Sequence, residues 1–104
     1  MKIQVNTDKN IEGKESLNTY VQNTIAEALE RFSEHITRID VHLSDDNGGK
    51  QGAADKRCLI EVKAEGIASI AATEVEDNLH KAINGAIDKI KKSLTSKFGK
   101  LNTH

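Results

Sequence analysis

Two stretches decide the fold: Arg38-Ile39-Asp40-Val41-His42-Leu43, and after a polar interval Cys58-Leu59-Ile60-Glu61-Val62-Lys63-Ala64-Glu65. In the first, Ile39, Val41 and Leu43 alternate with charged or polar neighbours; in the second, Cys58, Ile60, Val62 and Ala64 do. A period of two puts the apolar set on one face of an extended strand and the polar set on the other, so each reads as a half-buried strand. Ile3 and Val5, alternating with Lys2, Gln4 and Asn6, make an earlier strand of the same kind. Ile67 to Ala72 is a fourth candidate with weaker alternation, separated from the third only by Gly66, which suggests a tight hairpin.

Between and after these strands the period changes to that of a helix. Leu17, Val21, Ile25, Ala28, Leu29 and Phe32 recur at three- and four-residue spacing, from a start at Lys14–Ser16 to an end near Ser33. Leu79, Ala82, Ile83, Ala86, Ile87, Ile90, Leu94, Phe98 and Leu101 form a second stripe. Thr73 with Glu76 three residues on has capping-box spacing, and Gly99 offers a stop, so the second helix is expected over about residues 75–98. The order strand, helix, three strands, helix predicts an α+β domain, β-α-β-β-β-α. Its four-stranded sheet carries both helices on one face, because two apolar helix stripes need one apolar sheet face to cover. The last three strands are expected to form an antiparallel meander. The opposite sheet face is left to water or a partner.

At 104 residues the chain is expected to be one domain, 1–104, with room for one core. Cys58 is the single cysteine, so no disulfide can form within the chain. No apolar run approaches the ~18 residues of a membrane span, and no apolar stretch follows Met1-Lys2 as a signal peptide would, which points to a cytoplasmic protein with no membrane partner. Three aromatic residues are too few for a platform that stacks unpaired bases.

The formal net charge of -1 hides an asymmetry. Residues 89–104 carry five lysines, Lys89, Lys91, Lys92, Lys97 and Lys100, and no acidic residue, while the rest of the chain is mildly acidic. A local cationic patch can bind phosphate whatever the overall charge, although lysines at a helix end also complement the macrodipole. Lys56-Arg57 at a strand start and Arg38 on the open sheet face are further cationic elements.

Other motifs fail on inspection. The connection from Ser44 to Lys56 holds Asp45, Asp46, Asn47, Gly48 and Asp55, but Gly48 stands fourth from Asp45 and Lys56 twelfth, so the calcium-loop pattern is missing. Gly48-Gly49-Lys50 lacks the spacing of a phosphate loop and is better read as the tip of a hairpin. His35, His42, His80 and His104 are scattered without metal-ligand spacing. Cys58 shares the register of Ile60 and Val62 and is expected in the core, where a thiol is inert; a redox role would need that strand end to open. With no nucleophile–base set, paired carboxylates or nucleotide fingerprint, no enzyme, cofactor, metal or small-molecule substrate is expected.

Lys2-Ile3-Gln4-Val5-Asn6-Thr7, Ile39-Asp40-Val41-His42-Leu43-Ser44-Asp45, Asp55-Lys56-Arg57-Cys58 and Ala82-Ile83-Asn84-Gly85-Ala86-Ile87-Asp88-Lys89-Ile90 together resemble the bacterial ribosome hibernation-promoting factor and ribosome-associated inhibitor family, in its short single-domain form. The resemblance covers essentially the whole chain and rests on the order and spacing of the stretches. It implies a β-α-β-β-β-α domain that binds the small (30S) ribosomal subunit and its 16S rRNA in the channel used by messenger and transfer RNA, blocking translation in stationary or stressed cells. Asp88-Lys89-Ile90 matches the family's Asp-Lys-Leu stretch, and Lys92, Lys97 and Lys100 match basic positions after it. The expected RNA contacts are therefore Lys56, Arg57, Lys89, Lys91, Lys92, Lys97 and Lys100.

Three departures from the family pattern stand out. The middle of the first helix, where lysines are usual, carries Gln22, Asn23, Thr24 and Glu27, with Glu30 and Glu34 beyond and only Arg31 basic. His80 replaces a tyrosine, and the 44–56 connection is longer than usual. Fewer cations mean fewer phosphates neutralised. An alternative expectation is a stress-associated protein–protein module that kept the fold and lost ribosome binding, with weak homodimerisation through an exposed strand. With the chain ending at His104, the long forms' extra dimerisation domain is not expected.

Overall fold

The computed structural model describes residues 1–46 and 55–101. The elements are β1 (Lys2–Thr7), α1 (Lys14–Ala28), a 3-10 turn (Glu30–Phe32), β2 (Ile36–Asp45), β3 (Lys56–Ala64), β4 (Ile70–Glu76) and α2 (Leu79–Leu101). The order β-α-β-β-β-α is the expected one. The strands form one sheet in chain order, β1-β2-β3-β4. β1 runs parallel to β2, a pairing that requires a crossover connection, and α1 supplies it. β2, β3 and β4 form the antiparallel meander.

Alternation governs which side each residue takes. Ile39, Val41 and Leu43 of β2 stand opposite Val62, Ile60 and Cys58 of β3, and all six are buried. Against this face pack Leu17, Val21 and Ile25 from α1 and Ala82, Ile83, Ala86, Ile87, Ile90 and Leu94 from α2. α2 lies over β3 and β4, and α1 lies beside β1. At the far end Phe98 stacks between Phe32 (ring centroids 5.8 Å) and His35 (4.7 Å). Each fully buried Ile or Leu contributes about 1.5–3 kcal/mol by leaving water, so these positions supply most of the driving force.

β2 begins earlier than its alternation suggests. Ile36 and Ile39 are both buried although three residues apart, and the register against β3 shifts between Ile36 and Arg38. One extra residue in a strand is a β-bulge, which lets both isoleucines point inward while Thr37 and Arg38 stay outside. The Thr37 hydroxyl donates to the Lys63 carbonyl (3.0 Å) across the bulge.

Three boundary expectations need correction. The fourth strand is Ile70–Glu76, not Ile67 to Ala72. Gly66, in the left-handed region at φ 81°, makes the turn, and the chain pairs with β3 only from Ile70 onward. The alternation was obscured because Glu74 and Glu76 occupy core-side positions of an edge strand. Thr73 and Glu76 consequently lie in β4 and cap no helix. Asn78 does that work, its Oδ1 accepting from the Lys81 N–H (3.1 Å), and α2 starts at Leu79. Gly99 lies within α2, without the positive φ of a helix stop.

Glu74 fits on the core side because α2 presents Gly85 there. A Cβ at Gly85 would collide with Glu74 Oε2 and stand 2.7 Å from its Cγ and 2.9 Å from its Cδ. Gly85→Ala is therefore expected to lower stability by about 1 kcal/mol net, because an overpacking cost of about 1–3 kcal/mol outweighs a helix-propensity gain of about 1 kcal/mol. In a Glu74→Ala background the same change should raise Tm. Thermal unfolding of the four proteins of this cycle checks the sign reversal, and a Tm drop in both backgrounds would refute the contact.

Candidate nucleic-acid interface

The seven candidate cations are not gathered on one face. At about 100° per residue, Lys89 and Lys91 leave α2 about 160° apart by the shorter arc, and Lys92 points between them away from the sheet. Lys89 turns toward the sheet edge, where its Nζ donates to the Thr73 carbonyl (2.9 Å) and pairs with Glu74 (2.9 Å). It blunts the outer edge of β4, the strand edge that an edge-to-edge partner would need. Lys91 turns toward α1 and shares an open cleft with Glu27, Ala28, Glu30 and Arg31. Lys92 and Lys97 are exposed, and among the described residues neither has an ion-pair partner. The side chain of Lys100 and the segment 47–54, with Gly48-Gly49-Lys50, lie outside the described residues.

Lys56 and Arg57, adjacent in sequence, leave β3 on opposite faces. Lys56 lies on the core side at the sheet end, paired with Asp55 (2.7 Å) and Asp45 (3.4 Å), both nearly buried. The hydrogen bond to Asp55 raises the Lys56 pKa above its ordinary value, with Asp45 acting in the same direction. Its charge is spent on closing the base of the 46–55 connection, where the Asp46 N–H also donates to the Asp55 carbonyl (3.0 Å). Arg57 is exposed on the open face between Ser44 and Val75, and no described carboxylate pairs with it.

The open face is charged and ordered. Arg38 holds Asp40 through Nε (2.9 Å to Oδ2) and Nη2 (3.0 Å to Oδ1), and Nη2 also donates to Gln4 Oε1 (2.8 Å). The guanidinium keeps the Asp40 carboxyl below the usual carboxylate range, and Asp40 raises Arg38 in return. His42 Nε2 lies 3.2 Å from Glu61 Oε1. The strand register sets Lys2 opposite Arg38 and Arg38 opposite Lys63. Sequence alternation places Lys2 and Lys63 on polar faces, but the parallel β1–β2 register that aligns them is invisible in local sequence.

The family model described as sigma 54 modulation protein / S30EA ribosomal protein matches residues 3–102. The chain belongs to that family. A curated ribosome hibernation promotion factor from Picosynechococcus sp. (strain ATCC 27264 / PCC 7002 / PR-6) is 35% identical over 100 residues, covering 91% of this chain. The chain spans 50% of that relative's length. Two solved structures share the fold: the N-terminal domain of Thermus thermophilus Protein Y (TM-score 0.74, 24% identity, 92% of this chain and 98% of that one), and a ribosomal subunit interface protein from Coxiella burnetii (TM-score 0.74, 18% identity, 95% and 99%).

Two other features lie apart from the candidate cations. A mostly apolar hollow of about 250 Å³ between the starts of α1 and α2 is lined by Glu12, Gly13, Ser16, Leu17, Tyr20, Leu79 and His80, and none of the seven contributes to it. His80 packs edge-on against Tyr20 (4.6 Å), whose hydroxyl donates to Asn84 Oδ1 (3.2 Å), so the histidine serves helix packing. Among the described residues there is no group of His, Cys, Asp and Glu able to hold a metal ion, and no described helix is long and apolar enough to cross a membrane. Cys58 is fully buried in the core, and burial pushes its thiol pKa from 9.0 up to about 12. The native protein should resist thiol reagents at neutral pH and react promptly once denatured, as a labelling time course will check. Because the folded thiol holds its proton longer, any stability it confers is present below pH 9 and is lost as pH rises toward about 12.

Proposed function

We propose that this domain is a ribosome-associated hibernation factor that binds small-subunit rRNA and blocks the mRNA and tRNA channel by occupying it. The observation that carries this reading is the family match over residues 3–102, together with a 35% identical relative that bears the name ribosome hibernation promotion factor. The mechanism is steric and electrostatic. Cations neutralise phosphates and release counterions, the folded body fills the space, and no bond is made or broken. Few aromatics suit recognition of structured RNA by shape and backbone. The domain acts in the cytoplasm, without cofactor or metal.

Pair geometry supports a ranking of the seven proposed RNA contacts. Among the described residues Arg57, Lys92 and Lys97 have no ion-pair partner, and Lys100 extends the same helix as the two lysines. Lys91 acts beside Glu27 and Glu30. Lys56 and Lys89 must leave Asp55 and Glu74 before serving a phosphate, so they contribute least. The acidic α1 face favours the rival reading, a protein–protein module that has kept the fold alone.

Sedimentation with purified 30S subunits across a salt series tests the function. Saturable binding that weakens steeply with salt is expected, and Lys92→Glu/Lys97→Glu should reduce it at least tenfold with an unchanged Tm. Absence of wild-type binding at low salt would overturn the hibernation reading in favour of the rival. Unchanged binding by the double variant would overturn the α2 site.

A further inference from the structure

The three cations aligned by the strand register belong to neither helix. Lys2, Arg38 and Lys63 stand directly opposite one another on β1, β2 and β3, on the face that no helix covers. With strands about 4.8 Å apart, they form a positive row about 10 Å long. Like charges directly opposite on neighbouring strands repel; Asp40, paired with Arg38 and also attracted by Lys63, offsets part of that repulsion. The bulge at Thr37 keeps Arg38 outside while Ile36 and Ile39 remain in the core.

The row's centre is oriented in advance. Asp40 and Gln4 take the Nε and Nη2 donors of Arg38, which fixes the plane of the guanidinium and leaves Nη1 without a described partner. Lys2 and Lys63 are exposed, and no described carboxylate forms an ion pair with either. The acidic groups of the next row are already engaged, Asp40 by Arg38 and Glu61 by His42. With Nε and Nη2 held by Asp40 and Gln4, Arg38 offers an anion only Nη1, and the row's unpaired charge is that of the exposed Lys2 and Lys63 on either side, a spacing that suits an anion with several oxygens along a chain. We infer that Lys2, Arg38 and Lys63 form a phosphate-backbone contact on the open sheet face, so that the domain holds RNA on both sides. The inference deepens the hibernation reading and rests on it for the identity of the RNA: a body with cations on both faces is suited to a cleft walled by RNA.

The test uses Lys2→Gln/Lys63→Gln, which removes two exposed charges and leaves the Arg38–Asp40 pair intact. On 30S subunits the logarithmic salt slope should fall by about two. Tm should hold, because both side chains are exposed and the Arg38–Asp40 pair is untouched. If the wild type binds and the double variant keeps its slope, the sheet-face contact is overturned while the hibernation reading stands. If the wild type does not bind 30S subunits, that reading falls, and amide NMR shifts on titration with inorganic tripolyphosphate decide the row. Saturable shifts at Lys2, Arg38 and Lys63 that vanish in the double variant support it, and their absence overturns it.

Discussion

With Ile39 set against Val62, Val41 against Ile60 and Leu43 against Cys58, the β2–β3 register determines everything built upon it. Because side chains alternate strictly, a slip of one residue would turn the whole buried set into water and the charged set into the core. Both ends of the pair resist such a slip. At one end the bulge between Ile36 and Arg38 takes up the extra residue; at the other, Lys56 ties Asp45 of β2 to Asp55 at the start of β3. The helices then have one apolar face to cover, and the second face is left free for charge.

Charge placement shows why counting lysines is a poor guide to an interface. Six lysines lie in α2, yet the helix distributes them around its circumference; Asp77 pairs with Lys81, and Glu74 with Lys89. An exposed ion pair is worth little to stability, but it matters to binding: a cation already facing a carboxylate must exchange one anion for another. The useful positive charge is therefore what pairing leaves over; among the described residues it includes Lys92 and Lys97 of α2 and Lys2, Arg57 and Lys63 of the open sheet face.

The sequence made the element order legible because each element has a clean period. Ile39 through Leu43, Cys58 through Ala64 and the α2 stripe are unambiguous. What it concealed were the places where a polar residue stands at an inward position: Glu74 broke the β4 alternation because its partners, Lys89 and Gly85, lie in another element. Thr73 and Glu76 had capping-box spacing inside a strand, since local spacing is silent about tertiary pairing. The candidate site was legible by residue type at Arg57, Lys92 and Lys97. The ion pairing of Lys56 was not legible by residue type, although its alternation with Cys58 already indicated the core side.

The clamp at the sheet end has a consequence for the connection it closes. The Asp46–Asp55 backbone hydrogen bond and the Lys56 carboxylate pairs hold the two ends of a connection together. Closing a longer chain between fixed ends costs only about 0.6 kcal/mol for each doubling of its length. The domain can thus lengthen this connection, or accept a foreign segment there, at almost no thermodynamic penalty. The sheet beneath the clamp keeps its pairing whatever length of chain is closed above it.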